Sequence, residues 1–175
     1  VLITGASRGL GLELARQYAA EAATVIATCR DPAGASELTA LSARYPASLR
    51  IEALDVTDHA AIDALAAKYR DQPIDLLINN AGVSHFRLLE NQPAEEVDLA
   101  LAVNVQAPIH LCRLLLPHLQ RQPEAHILNT GSVFGGIGYA AYSVYSATKF
   151  ASRGFSEALR RELASAPLDR LAPRP

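Results

Sequence analysis

The sequence is poor in charge and has no long apolar run. Charged residues make up 19% of its 175 residues, and 16 Lys and Arg face 18 Asp and Glu, for a formal net charge of −2. This balance excludes the basic surface expected of a protein that binds nucleic acid or an anionic membrane. No apolar run approaches the roughly 18 residues of a membrane span. Half of the residues are nevertheless hydrophobic, so we expect a soluble globular protein with a single domain over 1–175.

Cysteine is also scarce, because Cys29 and Cys112 are the only two. They form no CxxC pair and have no Cys/His ligand spacing, which excludes a disulfide framework and predicts no metal site. We expect both to be small buried hydrophobic residues. There is no charged segment followed by a signal-like apolar segment, and a reducing cytoplasm fits this pattern best. Val1 already has the character of a strand interior, so we expect further residues before it.

Predicted strands and helices take turns along the chain. The pattern predicts strands over 1–3, 24–28, 49–54, 74–79 and 125–130, and helices over 10–20, 35–44, 58–70, 94–120 and 142–164. Such alternation implies right-handed βαβ crossovers and a parallel sheet covered on both faces. The predicted fold class is therefore α/β, with a doubly wound parallel sheet.

A glycine-rich turn, TGASRGLG with GxxxGxG spacing, follows the first strand. Glycines let the backbone approach a phosphate and turn sharply, and the next helix offers free amides and a partial positive charge at its N-terminus. An isolated glycine cluster is more often a plain tight turn, but this one lies between a strand and a helix. We therefore predict a dinucleotide-binding turn of Gly5, Ser7, Arg8, Gly9, Leu10 and Gly11.

Arg30 ends the second strand, at the position that selects between nicotinamide cofactors. An acid there would bond the adenosine ribose, whereas an Arg accommodates a 2′-phosphate. Arg30, helped by Arg8, therefore favours NADP, with NAD still possible. Asp31 leaves an alternative open, because a shift of one residue would place a carboxylate near the ribose. A turn or capping role for Asp31 ahead of Pro32 is favoured.

Polar and small residues follow the third and fourth strands. Asp55-Val56 and Asn80-Ala81-Gly82 lie at strand C-terminal ends, where a ligand crosses an open α/β sheet. Asp55 can accept a hydrogen bond from an adenine amino group, and the small Ala81-Gly82 pair allows the backbone to approach. A simple polar turn is the alternative for the second group.

Asn104 lies four residues before Pro108 in the predicted helix 94–120. A proline has no amide hydrogen and its ring clashes with the carbonyl at i−4, so the Asn104 carbonyl is left free. A free carbonyl near the crevice could hold a water. A kink tolerated for packing is the alternative.

Tyr145 and Lys149 lie four residues apart in the last predicted helix and leave the same face of it. A free phenol with a pKa near 10 is a poor acid or base at neutral pH, and a nearby cation favours the phenolate. Ser132 follows the fifth strand and points into the crevice. A surface Tyr–Lys pair and a turn serine are the alternatives. Because the chain has only one other lysine, Lys68, we predict Tyr145 as the proton donor and acceptor.

These motifs together resemble one known family. TGASRGLG, Asp55-Val56, NNAG, Asn104, Ser132 and YSATK are similar, in order and spacing, to the short-chain dehydrogenase/reductase family of the non-extended type, over Val1 to about Ala164. The resemblance implies a Rossmann-like fold and an NADP-dependent oxidoreductase that acts on a small-molecule carbonyl or alcohol. It also implies a homodimer or homotetramer formed through the helices over 94–120 and 142–164.

The resemblance further implies roles for four residues. Tyr145 would be the general acid/base, Lys149 would bind the nicotinamide ribose and activate Tyr145, Ser132 would polarise the substrate carbonyl, and Asn104 would hold a relay water. The cofactor carries the hydride. An apolar substrate is expected from the residues that would line the pocket entrance, namely Val83, His85, Phe134, Tyr139 and Tyr142.

The resemblance weakens after Ser165. Family members continue with a sixth strand, a substrate-covering segment and a seventh strand, whereas only 167–175 remain here, with Leu171–Arg174 similar to the end of the sixth strand. We therefore expect a C-terminally truncated sheet that lacks the last strands and the covering segment, with the fifth strand as an exposed edge prone to self-association. The alternative function is a catalytically weak or inactive fragment that retains nucleotide binding only.

Overall fold

Strands and helices alternate in the computed structural model, which describes residues 1–21 and 23–164. The strands are β1 Leu2–Ile3, β2 Val25–Cys29, β3 Leu49–Ala53, β4 Leu76–Asn79 and β5 His126–Asn129. The helices are α1 Gly9–Ala20, α2 Ser36–Arg44, α3 His59–Lys68, α4 Ala94–Leu101, α5 Ala107–Leu119 and α6 Ser143–Ala164. Each predicted strand is present, with its ends within two residues of the prediction.

The five strands form one parallel sheet in the order β3-β2-β1-β4-β5. Leu2 of β1 lies opposite Ile26 of β2 on one side and Leu77 of β4 on the other. The chain thus starts in the middle of the sheet, winds to one edge and then crosses to the other. This confirms the predicted doubly wound, Rossmann-like class. The segment 171–174, compared above with a sixth strand, lies outside the described residues.

Successive residues of a strand face opposite sides of the sheet, and here both sides are apolar. Leu2 packs with α3 and α5 in one buried cluster, and Ile3 packs with α1 and α2 in another. Both side chains are fully buried. Parallel strands that are covered on both faces have this continuous apolar character.

The predicted continuous helix over 94–120 needs a correction. A π-helical segment, Ala102–Gln106, separates α4 from α5, and the Ala107 amide donates to the carbonyl of Ala102. The physical reason is Pro108, which has no amide to donate to the carbonyl of Asn104, so the ordinary i→i−4 ladder cannot continue.

By length and mean hydropathy alone, the stretch Ala94–Leu119 could also cross a membrane, and it is the one such stretch among the described residues. In the fold it contacts α3, β4, β5 and α6. Leu111 and Leu115 lie fully buried in the core cluster on that face of the sheet. A core helix that packs under a sheet has this same composition.

Candidate active site

The turn after β1 is held tightly against the loop after β4. A Cβ on Gly11 would lie 2.4 Å from the carbonyl oxygen of Gly5 and 2.5 Å from Nδ2 of Asn80, so no side chain fits there. The helix α1 begins at Gly9, after Arg8 in extended conformation. Its first free amides therefore face the carboxyl ends of the strands, where ligands of such sheets bind.

Thr4 fixes this junction, and sequence reasoning missed it. Its buried hydroxyl accepts hydrogen bonds from the amides of Asn80 and Ala81, both at 3.0 Å. In return, Nδ2 of Asn80 donates to the carbonyls of Thr4 and Gly5, at 3.0 and 3.2 Å. Thr4 directly follows the first strand, and a threonine there has no distinctive pattern of its own.

A crevice of about 320 Å³ opens above this junction. It brings together most residues predicted to bind the cofactor, namely Gly5, Ser7, Arg8, Gly9, Arg30, Asp55, Val56, Asn80, Ala81 and Gly82. Cys29, Leu54, Val83, Leu99 and Val103 complete its lining with apolar surface. Of the other predicted residues, Leu10 is exposed and Gly11 is buried under the turn, so neither lines the crevice. Tyr145 and Lys149, also predicted to contact the cofactor, are not among its lining residues.

Arg8 and Arg30 also line an adjoining cavity of about 390 Å³ at the end of β2. Asp31 lies beside them, but its Oδ1 accepts a hydrogen bond from the amide of Gly34 at 3.1 Å. The Asp31 carboxylate therefore caps its own turn. Arg8 and Arg30 share this cavity with one further carboxylate, Glu37, and their two guanidinium groups suit an anionic group of a ligand.

Asp55 is oriented by its neighbour Thr57. Its Oδ1 accepts from the Thr57 amide at 2.9 Å and from the Thr57 hydroxyl at 2.8 Å. The amide hydrogen bond from Thr57 holds the pKa of Asp55 below its ordinary value. Asp55 is therefore an ionised acceptor at the rim of the crevice.

Asn104 lies in the π-helical segment and is almost fully buried, with 2% exposure. Its Oδ1 accepts from the Val83 amide at 2.9 Å, and its Nδ2 donates to the Val83 carbonyl at 2.8 Å and to Oγ1 of Thr148 at 3.1 Å. One side chain thus ties the loop after β4 to helix α6. Sequence reasoning predicted a role for the Asn104 backbone carbonyl and missed this use of its side chain.

Lys149 is buried on α6, and its Nζ donates to the carbonyl of Thr130 at 2.7 Å. The same Nζ lies 5.7 Å from the ring centroid of Tyr145. Burial lowers the pKa of Lys149 from its ordinary value. The predicted neighbours on α6 are thus brought together, and the end of β5 fixes the position of the amine.

Ser132 follows β5 and shares a cleft of about 390 Å³ with Lys149. Its Oγ accepts from the amide of Phe134 at 3.2 Å. This bond uses the serine oxygen as acceptor and leaves its O–H hydrogen free to donate. Among the described residues, the Tyr145 hydroxyl makes no hydrogen bond to another protein group, so it is also available to a ligand.

The residues predicted at the pocket entrance divide between two places. Phe134 and Tyr142 contact the ring of Tyr145, and Tyr139 contacts both of them, whereas Val83 lines the crevice. His85 is half-buried in the loop after β4, and its Nδ1 atom has no hydrogen-bond partner. In the described part of the chain, no group of three or more His, Cys, Asp or Glu could hold a metal ion.

The fold and this crevice describe a dinucleotide-binding α/β protein, and comparisons with known proteins agree. The family model described as short chain dehydrogenase matches residues 1–168. The chain belongs to the short-chain dehydrogenase family, which confirms the resemblance noted in the sequence.

Individual relatives show how much of the family is represented. The chain is 41% identical to the uncharacterized oxidoreductase YusZ of Bacillus subtilis over 165 residues, which are 93% of this chain and 59% of YusZ. It is 34% identical to the 3-oxoacyl-acyl-carrier-protein reductase FabG of Escherichia coli over 166 residues, which are 94% of this chain and 67% of FabG. The crystal structure of a metagenomic short-chain oxidoreductase in complex with NADP matches with a TM-score of 0.86 and 32% identity, covering 94% of this chain and 76% of that one.

Proposed function

We propose that this protein is an oxidoreductase that transfers a hydride between NADP(H) and a carbonyl compound or secondary alcohol, with Tyr145 as the general acid/base. The observation that carries the proposal is the placement of Lys149. Its amine is fixed by the Thr130 carbonyl at 2.7 Å and lies 5.7 Å from the Tyr145 ring centroid. A buried cation beside a phenol stabilises the phenolate that forms when the phenol gives up its proton.

Tyr145 and Ser132 have separate roles at the reacting carbon. In reduction, the Tyr145 hydroxyl gives its proton to the substrate oxygen, and the Ser132 hydroxyl donates a hydrogen bond to the same oxygen. NADPH, when bound, supplies the hydride. The proton of Tyr145 is replaced through Lys149 and a water held by the carbonyl of Asn104, as the family resemblance implies. The Asn104 side chain also positions α6, through its bond to Thr148.

The crevice fits a dinucleotide by its own chemistry. Gly9 has a φ of 57°, and a Cβ built on it meets nothing within 4 Å, so its backbone is open to a ligand at the start of α1. Free amides and the helix dipole at that point suit a pyrophosphate. Asp55 offers an ionised acceptor at the rim of the crevice, which suits an adenine amino group.

Arg8 and Arg30 support NADP over NAD. Both line the cavity at the end of β2. Of the two carboxylates in that cavity, Asp31 already caps Gly34, and Glu37 lies in the first turn of α2. Fluorescence titrations should therefore give tighter binding of NADPH than of NADH, by about tenfold or more. Arg30→Ala should narrow this gap. Equal affinities in the parent protein would contradict the assignment.

The central experiment compares turnover with cofactor binding. Tyr145→Phe removes a proton and no cofactor contact, so NADPH-dependent carbonyl reduction should fall by at least about 100-fold while NADPH affinity stays unchanged. A variant that keeps most of the parent rate would overturn the proposal. If the parent protein binds NADPH but reduces no carbonyl compound, nucleotide binding alone is the better description.

We also propose self-association through the two long helices. Leu101, Ile109, Phe150 and Leu163 are each at least 38% exposed and apolar, and they lie on the stretches 94–119 and 143–164. Exposed apolar side chains of this kind favour a symmetric interface between copies of one chain. Sedimentation should show a dimer or tetramer that Phe150→Asp weakens. A monomeric parent protein would contradict this assignment.

A further inference from the structure

Half of the Phe and Tyr rings of the chain form one cluster that includes Tyr145. The protein has 4 Phe and 6 Tyr, and five of these ten belong to one cluster. Ring centroids lie 5.1 Å apart for Phe86 and Tyr142, 5.1 Å for Phe134 and Tyr142, and 5.4 Å for Phe134 and Tyr139. These are separations at which rings attract one another. We call Phe86, Phe134, Tyr139 and Tyr142 the aromatic wall.

The aromatic wall adjoins the group that exchanges the proton. The Tyr145 ring centroid lies 5.9 Å from that of Tyr142 and 6.1 Å from that of Phe134, the latter in an edge-to-face arrangement. A substrate whose oxygen meets the Tyr145 hydroxyl therefore places its neighbouring atoms beside these rings. The wall would therefore contact the groups attached to the reacting carbon and select among them.

The wall is formed by two loops that are hydrogen-bonded to each other. The amide of Arg87, in the loop after β4, donates to the carbonyl of Ala141, in the loop after β5, at 2.9 Å. Ala141 has a φ of 62°, a conformation that a residue with a side chain keeps only when its surroundings fix it. This link sets Tyr142 beside Phe86. The wall is thus a preformed surface rather than a pair of loose loops.

The wall also leaves much apolar surface exposed. Phe86 is 68% exposed and Tyr139 is 58% exposed, and Val133 and Ile137 of the same loop are 68% and 57% exposed. A contiguous apolar patch of this kind marks a binding surface. Aromatic faces in particular favour a flat ring, because rings gain contact energy beyond the area they bury.

The wall itself has no charged residue, and two arginines near it are already paired with acids. No Asp, Glu, Lys or Arg occurs between Glu124 and Lys149. On the facing loop, Arg87 is ion-paired with Glu96, with Nε 3.0 Å from Oε2. On α6, Arg153 has its guanidinium near Gly136 and is ion-paired with Glu157, with Nε 2.9 Å from Oε1. A substrate that carried a charge next to its carbonyl would lose water there and meet arginines that already have partners.

We propose that the substrate is an uncharged ketone or secondary alcohol whose reacting carbon is attached to a flat ring, with that ring resting on the aromatic wall. This inference relies on the proposed function for the chemistry at the reacting carbon. The wall adds the specificity, because a rigid ring meets the preformed surface with little loss of rotational freedom, whereas a flexible chain must be ordered.

Two ketones of equal carbon count test this directly, acetophenone and octan-2-one. Octan-2-one has the larger apolar surface, so burial of apolar area alone would favour its binding. Saturation-transfer NMR titrations with NADP⁺ present measure binding without turnover. Acetophenone should bind at least about fivefold more tightly than octan-2-one. Equal binding, tighter binding of octan-2-one, or binding of neither ketone would overturn the inference.

Variants then locate the preference on the wall. Phe86→Leu and Tyr139→Leu change exposed residues and keep apolar bulk, so they should leave folding intact and reduce the preference to below about twofold. Tyr45→Leu is the matched control, because Tyr45 follows α2 on the other face of the sheet and, among the described residues, makes no ring contact with the wall. It should keep the parent preference. An unchanged preference in both wall variants would also overturn the inference.

The outcome separates this inference from the proposed function. If acetophenone is preferred and the wall variants abolish the preference, but NADPH reduces neither ketone, the wall assignment stands and the oxidoreductase assignment fails. If both ketones are reduced with equal kcat/KM, the oxidoreductase assignment stands and the wall assignment fails.

Discussion

Two groups of residues at the candidate site are held in different ways. Thr4, Asn80, Asn104 and Lys149 each bond to main-chain atoms of another segment, and we call these four the polar framework. The aromatic wall stands on loops, and Phe86 and Tyr139 expose more than half of their surface. The comparison teaches that buried hydrogen bonds between segments hold the framework, whereas contacts between exposed rings form the wall. Substitutions in the two groups should therefore damage different properties.

The largest effect on stability is expected at Asn104. Asn104→Ala removes three side-chain hydrogen bonds and leaves the partly buried main-chain groups of Val83 without these partners. The free energy of unfolding should fall by about 3 kcal/mol, measured by urea denaturation. Gln106→Ala, at an exposed position of the same π-helical segment, is the control and should change it by less than about 0.5 kcal/mol. Equal losses in the two variants would show that the segment, and not the side chain, carries the stability.

Thr4 should give the next largest effect. Thr4→Val keeps the shape of the side chain but removes the acceptor for the amides of Asn80 and Ala81. We expect a loss of about 2 kcal/mol in the free energy of unfolding. Thr4→Ser keeps the hydroxyl and should lose clearly less. If the serine variant were the weaker one, methyl packing would matter more than the hydrogen bonds.

Buried His118, in the last turn of α5, should make stability depend on pH. Burial, followed by the charge of Arg121, lowers the pKa of His118 from its ordinary value. As pH falls below about 6.5, the unfolded chain takes up this proton before the folded chain does, so the free energy of unfolding decreases. Denaturation at about pH 7.5 and pH 5.5 should show a smaller decrease for His118→Gln than for the parent. His126→Gln, at an exposed position on β5, serves as the control, and an equal pH dependence in all three proteins would contradict the prediction.

The smallest effect on stability is expected at Ala141, which is next to Tyr142 of the aromatic wall. Ala141→Gly relieves the positive φ of 62°, and this gain offsets the greater chain entropy of glycine when unfolded. The free energy of unfolding should stay equal or rise by up to about 1 kcal/mol. Ala140→Gly gains no such relief and should lower it slightly. If Ala141→Gly were the more destabilising of the two, the conformation of Ala141 would not be strained, and the wall would be held by other contacts.

The sequence predicted the fold and the positions that line the crevice because local pattern determines both. Five apolar strand segments that alternate with helices dictate the sheet, and glycines between a strand and a helix dictate the turn before α1. Tyr145 and Lys149 could be paired from their spacing alone, since one helix turn separates them. The structure gives their positions, and their chemical roles remain predictions.

Features that depend on distant segments could not be predicted. The hydroxyl of Thr4 meets amides 76 and 77 residues away, and the side chain of Asn104 bonds to Val83 and Thr148 on two other segments. The π-helical segment requires a hydrogen-bond count that composition does not contain. Three residues of the wall, Phe134, Tyr139 and Tyr142, were predicted at the pocket entrance. Phe86 was not, because it joins the wall only through the tertiary contact of two loops.

The aromatic wall also determines how this protein can be observed. The chain contains no tryptophan, so its near-ultraviolet emission comes from its 6 tyrosines. Tyr139, Tyr142 and Tyr145 are half of these fluorophores, and the ring centroids of Tyr139 and Tyr145 lie 6.4 and 5.9 Å from that of Tyr142. A compound that settles on the wall changes the surroundings of half the emitting rings at once. The unlabelled protein therefore carries its own optical reporter of substrate occupancy.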